Sequence, residues 1–331
     1  MRTRRSVRRH SAWQLIATVF IAAITAPASS QSNDYPSRSI TFIVPYGPAG
    51  STDPVARQFV SQLEKVLGVD INIENKPGGS GTLGFGIVMR AKPDGYTIGL
   101  GTNSILAYQP LVNSALTFKT PDDYQPIVKL GETPIVLVVR ADSPWKTFDE
   151  FMAHVRANPG KVRAAVSGKR TVPDLLAQEF NMNSKVSLRT VPFTGGSGEA
   201  LVALLGNRVE ATLFTGAFGI PGHVEAGKVR VLAVFKQGPY GPLPEAFTSI
   251  DAGYKTTITA SFYVIAPKGL PKPVLDKLTT ASMQVVKSPE YAQFAKVGYA
   301  LNPLGPEGIR KEIVQDTATF KELIKLLDTS K

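Results

Sequence analysis

SITFIVPYGPAGSTDPVARQFVSQLEKVL, residues 39–67, carries a strand, a turn and a helix without a break. Ser39–Val44 is rich enough in β-branched and aromatic residues to read as a short strand. From Asp53 to Leu67 the apolar residues Val55, Ala56, Phe59, Val60, Leu63, Val66 and Leu67 recur at three- and four-residue steps, the stripe of a helix with one buried face. Asp53 stands where a side chain caps free amides, Pro54 suits a first helical position, and Gly68 stops the helix. The intervening Pro45-Tyr46-Gly47-Pro48-Ala49-Gly50-Ser51-Thr52 turns the chain while presenting small hydroxyls and free amides.

The same alternation continues along the chain. A strand at Val69–Glu74, a helix near Thr82–Ala91, a strand at Tyr96–Gly101 and extended runs at Ile127–Leu130 and Ile135–Arg140 complete a first set. After Ser143-Pro144 the pattern predicts helix Phe148–Asn158, strand Val162–Val166, helix Pro173–Asn181, strand Ser187–Val191 and helix Glu199–Leu205. Strand Val209–Phe214, helix Phe218–Ala226 and strand Val229–Phe235 close that second set, and Pro/Gly-rich Gly238–Pro244 interrupts it. Strand Ala260–Ala266 resumes the pattern before a helical tail at Pro271–Val286, Pro289–Val297 and Glu307–Leu327. Alternating β and α elements of this length imply mostly parallel sheets covered by helices. Two sets with a returning tail predict an α/β protein of two lobes around a cleft. The first lobe is expected over 29–136 and 258–331, the second over 137–257, with residues 1–28 as a leader.

The leader accounts for much of the charge. The 331 residues hold 37 Lys+Arg against 26 Asp+Glu, a formal +11, yet Arg2, Arg4, Arg5, Arg8 and Arg9 precede the first acid, Asp34. An apolar run from Ala12 to about Thr25 follows and closes on Ala26-Pro27-Ala28. Basic start, short apolar middle and small-x-small end describe a secretory signal peptide, and the apolar run is shorter than a spanning helix. Thr3-Arg4-Arg5-Ser6-Val7 also loosely resembles a twin-arginine export signal. Cleavage near Ala28 removes five positive charges and no negative ones, leaving +6. The expected location is the periplasm, with no role in nucleic-acid binding, since no basic cluster interleaved with aromatics remains.

Composition narrows the chemistry further. With no Cys there is no disulfide, thiolate metal site, thiol nucleophile or lipidated anchor. Only His154 and His223 survive processing, about 70 positions apart and without acids at ligand spacing, so no metal or cofactor is expected. Ser80, Ser167 and Ser197 have glycine neighbours, but none has Gly at both −2 and +2 as a nucleophile elbow requires. Gly79-Ser80-Gly81-Thr82-Leu83-Gly84 matches G-x-G-x-x-G literally. The strand after it ends in Thr102-Asn103 rather than the acid a dinucleotide fold needs, so an anion such as a carboxylate is the expected guest of its amides.

Turns of that kind recur. Ser167-Gly168-Lys169-Arg170-Thr171, Thr194-Gly195-Gly196-Ser197-Gly198 and Thr215-Gly216 all follow predicted strands, at the ends where open α/β sheets bind ligands. Several such turns without an acid–base pair favour a binder over a catalyst.

The runs Ile43-Val44-Pro45-Tyr46, Pro48-Ala49-Gly50, Thr52-Asp53 and Arg57, preceded by Tyr35-Pro36, resemble the opening of the Bug/TctC extracytoplasmic solute receptors of tripartite tricarboxylate transporters. Glu74-Asn75-Lys76-Pro77-Gly78-Gly79-Ser80-Gly81 and Lys92-Pro93-Asp94-Gly95-Tyr96-Thr97 are similar to the next two signatures of that family. Val191-Pro192-Phe193 with Gly206 and Glu210, the run Gly227–Val234 and Ala266-Pro267-Lys268-Gly269-Leu270-Pro271 extend the likeness across residues 35–331. The resemblance implies a type II periplasmic-binding-protein fold with a hinged cleft, in which amides, small hydroxyls and waters hold a ligand carboxylate. Carried onto this chain, it assigns ligand binding to Tyr46, Gly50, Ser51, Thr52, Gly79, Ser80, Thr102 and Asn103 in the first lobe. In the second it assigns Ser167, Gly168, Lys169, Arg170, Thr171, Thr194, Gly195, Gly196, Thr215 and Gly216, with Asp53 left to cap its helix. Ala49 departs from a usual glycine pair, Asp174 stands where His is common, and Lys169-Arg170 replace small residues. Two readings of that cationic pair are open: contact with a distal carboxylate, or simple solvation. The implied function is a monomeric periplasmic receptor that captures a small organic carboxylate and delivers it to membrane transporter subunits. A sensor for a membrane signalling protein and a secreted α/β enzyme acting on carboxylates are the alternatives.

Overall fold

β1 (Ile40–Val44) is buried almost throughout, as a central strand with both faces covered must be. The computed structural model describes residues 35–48, 50–216, 219–243, 246–249, 253–254 and 258–329. The expected leader and Ala49 lie outside them. After β1 come α1 (Thr52–Leu67), β2 (Ile71–Asn75), a 3₁₀ turn at Gly79–Gly81, α2 (Thr82–Arg90), β3 (Thr97–Thr102), a π-helical turn at Ser104–Tyr108 and α3 (Gln109–Val112). β4 (Tyr124–Thr133), β5 (Ile135–Arg140), α4 (Phe148–Ala157), β6 (Arg163–Val166), α5 (Val172–Ser184), β7 (Arg189–Pro192) and α6 (Ser197–Leu205) follow. β8 (Ala211–Thr215), α7 (Ile220–Glu225), β9 (Val229–Phe235), β10 (Ala260–Pro267), α8 (Lys272–Val286), α9 (Pro289–Ala292) and α10 (Pro306–Thr329) complete the chain.

These strands form two five-stranded sheets of one design, ordered β2-β1-β3-β10-β4 and β7-β6-β8-β5-β9. β1 pairs in parallel with β2 and β3, and β6 with β7 and β8. β10 runs against β3 and β4, and β5 against β8 and β9, so one strand per sheet is reversed. The reversed strands are those that have just arrived from the other sheet. β4 and β5 are joined by Pro134 alone. A chain crossing at the mouth of the cleft can only run away from it, opposite to strands that deliver their ends there.

Helix starts explain themselves locally. Thr147 and Glu150 form a capping box at α4, the Glu150 amide donating to Thr147 Oγ1 at 3.2 Å. α1 departs from expectation: its N-cap is Ser51, with no side-chain cap bond. The Asp53 carboxylate turns sideways instead, accepting from Arg57 Nε at 2.7 Å and Asn75 Nδ2 at 2.8 Å, and so ties α1 to the end of β2. Salt-bridging, not capping, is its role.

The stripe read from α1 is its buried face: Val55, Ala56, Phe59 and Leu63 are fully buried, with Phe59 against Phe42 on β1. A second, larger core runs from Phe85, Phe118 and Tyr124 through Tyr108 and Phe320 to Leu175, Phe180 and Phe148. It joins α10, beside the first sheet, to α5, beside the second. Among the described residues no helix is long and apolar enough to cross a membrane.

Candidate functional site

Where the two sheets face each other, a cavity of about 20 Å³ is lined by Tyr46, Ser51, Thr52, Thr102, Ser104, Ala260 and Phe262 from the first side. Ser167, Pro173, Ser197 and Thr215 close it from the second. The walls of the two lobes stand close together across it, with Ser51 Oγ and Ser197 Oγ 3.4 Å apart. Among the described lining residues there is no charged side chain, and seven aliphatic hydroxyls and one phenol face the space.

Three helix starts converge on this space. Ser51 and Thr52 open α1, Ser197 opens α6, and Pro173 lies in the first turn of α5. None of the three is capped by its own N-cap side chain, a state shared with α2, α7 and α8, and at α5 the Val172 amide is taken by Ser104 Oγ at 2.9 Å. Uncapped first-turn amides at α1 and α6, and the aligned peptide dipoles of all three helices, give these starts a partial positive charge. Converging, they suit an anion better than a cation.

The sequence-predicted residues divide into three groups. Tyr46, Ser51, Thr52, Thr102, Ser167 and Thr215 line the cavity. Tyr46 is buried, its hydroxyl donating to the Ser80 carbonyl at 3.1 Å, and burial pushes that phenol up to about 12. Gly50 and Gly196 lie beside it as close-approach points, Gly50 against the Gly198 amide and Gly196 against the Tyr46 ring. Gly216 packs on Thr133.

A second group serves the frame. Asn103 donates to the Thr259 carbonyl at 2.9 Å and accepts from the Ser261 amide at 3.2 Å, fastening the chain as it returns into β10. Thr194 and Gly79 are outside the cavity lining, and Gly195 instead accepts from the Gly47 amide at 2.9 Å. The glycine-rich 78–81 turn is not aimed at the cavity either; Ser80 reaches across to the opposite lobe, donating to the Lys169 carbonyl at 2.7 Å.

The third group is the loop after β6. Lys169 and Arg170 are exposed and contribute main chain, not cations, to the cleft. The Lys169 carbonyl takes the Ser80 hydroxyl, and the Arg170 carbonyl accepts from Gln109 Nε2 at 3.0 Å. The loop is braced from within by Thr171 Oγ1 donating to the Gly168 carbonyl and by the buried Asp174 carboxylate accepting from the Arg170 amide, at 2.8 Å each. Desolvation raises the Asp174 carboxyl above its ordinary range, against the pull of that amide, the Thr190 hydroxyl and Lys169.

Ser104, Pro173, Ser197, Ala260 and Phe262 also line the cavity and were not among the expected contacts. Ser104 accepts the Val172 amide at 2.9 Å from within the π-helical turn. Only Ser197 carried a local signal, standing in a glycine-flanked turn before a helix. Behind β10, Lys129 is almost fully buried between Glu132 at 2.6 Å and Glu312 at 2.7 Å. Burial and then Glu312 push the nearby Asp316 carboxyl up to about 6, against Asn103 and Lys129. His154 packs against Trp145 with the rings tilted by 57° and their centroids 5.0 Å apart.

A two-lobed cleft with these features matches known receptors. The profile described as tripartite tricarboxylate transporter family receptor covers residues 55–327 of this chain. The chain belongs to that family. As a TctC-family receptor it is a solute-binding protein by kinship, not an enzyme. The structure of the periplasmic binding protein BugD is similar at a TM-score of 0.80 and 28% identity, over 89% of this chain and 99% of that one. MatC from Rhodopseudomonas palustris, solved with bound malate, gives 0.80 and 26% over 88% and 100%. An R. palustris protein solved with adipate gives 0.84 and 26% over 89% and 99%. The likeness spans both sheets, which is why the α/β two-lobe reading and the family resemblance both stand.

Proposed function

We propose that this TctC-family receptor captures a small organic acid in the periplasm by its carboxylate and delivers it to membrane subunits of a tripartite tricarboxylate transporter. The observation that carries the reading is the convergence of the uncapped starts of α1 and α6, with α5 beside them, on a cavity whose described lining is rich in hydroxyls and holds no charged side chain. An anion is held there by amide dipoles at little desolvation cost to the protein, because no buried counter-charge has to be left unpaired when the site empties. The malate and adipate of two structural neighbours support a dicarboxylate as ligand class. Phe262, Ala260 and Pro173 supply an apolar wall for the carbon chain between two such groups. Cleft closure is the working motion, with lobes over 29–136 plus 258–331 and over 137–257, and Pro134 as one hinge point.

A thermal-shift screen against mono- and dicarboxylic acids of two to eight carbons tests this. An acid at 100 times its Kd adds about 2.7 kcal/mol to stability, a shift of several degrees. A panel in which no acid raises the melting temperature contradicts the reading.

A further inference from the structure

The residues that hold the lobes together are not all the residues that line the cavity. Gln109 is buried and Ser80 nearly so, neither lines the cavity, and both donate across the cleft to consecutive carbonyls, those of Arg170 and Lys169. The acceptor loop is shaped for this. Arg170 sits at φ 59°, a left-handed conformation costly for a residue with a Cβ, and Asp174 holds its amide in place. Gly168, at φ 134°, leaves room that any side chain would take: a Cβ there falls 2.6 Å from Ser80 Oγ. Both cationic side chains meanwhile face solvent. A strained loop with internal braces, gripped by its main chain and not by its side chains, is built to meet the other lobe.

We propose that Gln109 and Ser80 form a closure latch on the 168–171 loop, setting the closed fraction of the receptor and hence its affinity for every acid without contacting any. Apparent affinity scales with the fraction of protein in the binding-competent form, so each latch bond multiplies it. Ser104 adds a third bond just beyond the loop, to the Val172 amide that opens α5, but also lines the cavity, so the latch is tested without it. The inference deepens the receptor reading, and its affinity arm rests on that reading; its cross-linking arm does not.

Because the native chain has no Cys, a Ser51→Cys, Ser197→Cys pair reports closure cleanly. The two hydroxyl oxygens stand 3.4 Å apart across the cleft, within reach of a disulfide after a small adjustment. With no acid added and oxidant fixed, Gln109→Ala and Ser80→Ala are each expected to slow cross-linking roughly two- to tenfold, the worth of one net hydrogen bond. In the cysteine-free background each should weaken all acids by one common factor, seen in the off-rate, with the unliganded melting temperature unchanged. Unchanged cross-linking in both variants overturns the latch, as does a fall in melting temperature with no change in closure. Affinity losses that differ between acids overturn it too, by making these residues ligand contacts. If no acid binds at all, the receptor reading fails while the cross-linking rates still decide the latch.

Discussion

Ser51 Oγ and Ser197 Oγ face each other at 3.4 Å, one at the start of α1 in the first lobe and one at the start of α6 in the second. The meeting of these two helix starts is the floor of the cleft, and the backbone around them has been kept small. A Cβ on Gly50 falls 3.0 Å from the Gly198 amide nitrogen and 3.5 Å from that of Ser197.

Gly50→Ala is therefore expected to act as a wedge. The new methyl meets backbone, which cannot rotate away, only when the lobes are shut. Equilibrium titration should find binding weakened more than about tenfold, the equivalent of roughly 1.4 kcal/mol, while the unliganded melting temperature holds. Native affinity in this variant would mean that α1 and α6 need not approach.

Arg170 gives a separate prediction, because its side chain and its backbone do different things. Arg170→Ala should leave the ratio of dicarboxylate to monoacid affinity unchanged, since the guanidinium is exposed and not part of the cavity wall. Arg170→Gly should raise thermal stability by up to about 1 kcal/mol by relieving the positive φ. A selective loss of dicarboxylate binding in the Ala variant would put the cation in the site after all.

The acid cluster behind β10 predicts a pH dependence. Folding raises the Asp316 carboxyl to about 6, so the folded protein binds that proton more tightly than the unfolded chain. Its contribution is fully present below pH about 4 and is lost as pH rises through 6. Asp316→Asn, permanently neutral, should be more stable than the native protein at pH 8 by roughly 1–3 kcal/mol and should lose that advantage by pH 4. Denaturant unfolding at the two pH values measures it; a constant difference between the proteins would remove Asp316 from the linkage.

Elements whose signal is local were legible in the sequence. The stripe Val55, Ala56, Phe59, Val60, Leu63 is the buried face of α1, and the apolar run at Val229–Phe235 is β9 to the residue. The hydroxyl-bearing turns after β1, β6 and β8 do reach the cavity, since strand ends in such sheets converge there whatever their partners. What escaped reading depends on partners far away in sequence. Nothing local says that β10 runs antiparallel between β3 and β4, because that follows from where the chain re-enters. The π-helical turn that places Ser104 has neither a cap nor a 3.6-residue stripe to announce it. Asn103 looked like a ligand contact beside Thr102, yet its amide is spent on Thr259 and Ser261, more than 150 residues on. Ser80 reads as part of an anion-binding turn until the opposite lobe is present to receive its hydroxyl.

Backbone dipoles and hydroxyls, with no cation among the described lining residues, are the groups proposed to hold the carboxylate. Calorimetric titration of the best acid from the screen, side by side with its primary amide, separates charge from shape. The amide keeps the shape and loses the charge, so it should bind at least about tenfold more weakly, the loss expected for charge-assisted hydrogen bonds. Equal affinity for acid and amide would mean that the site does not recognise the carboxylate's charge.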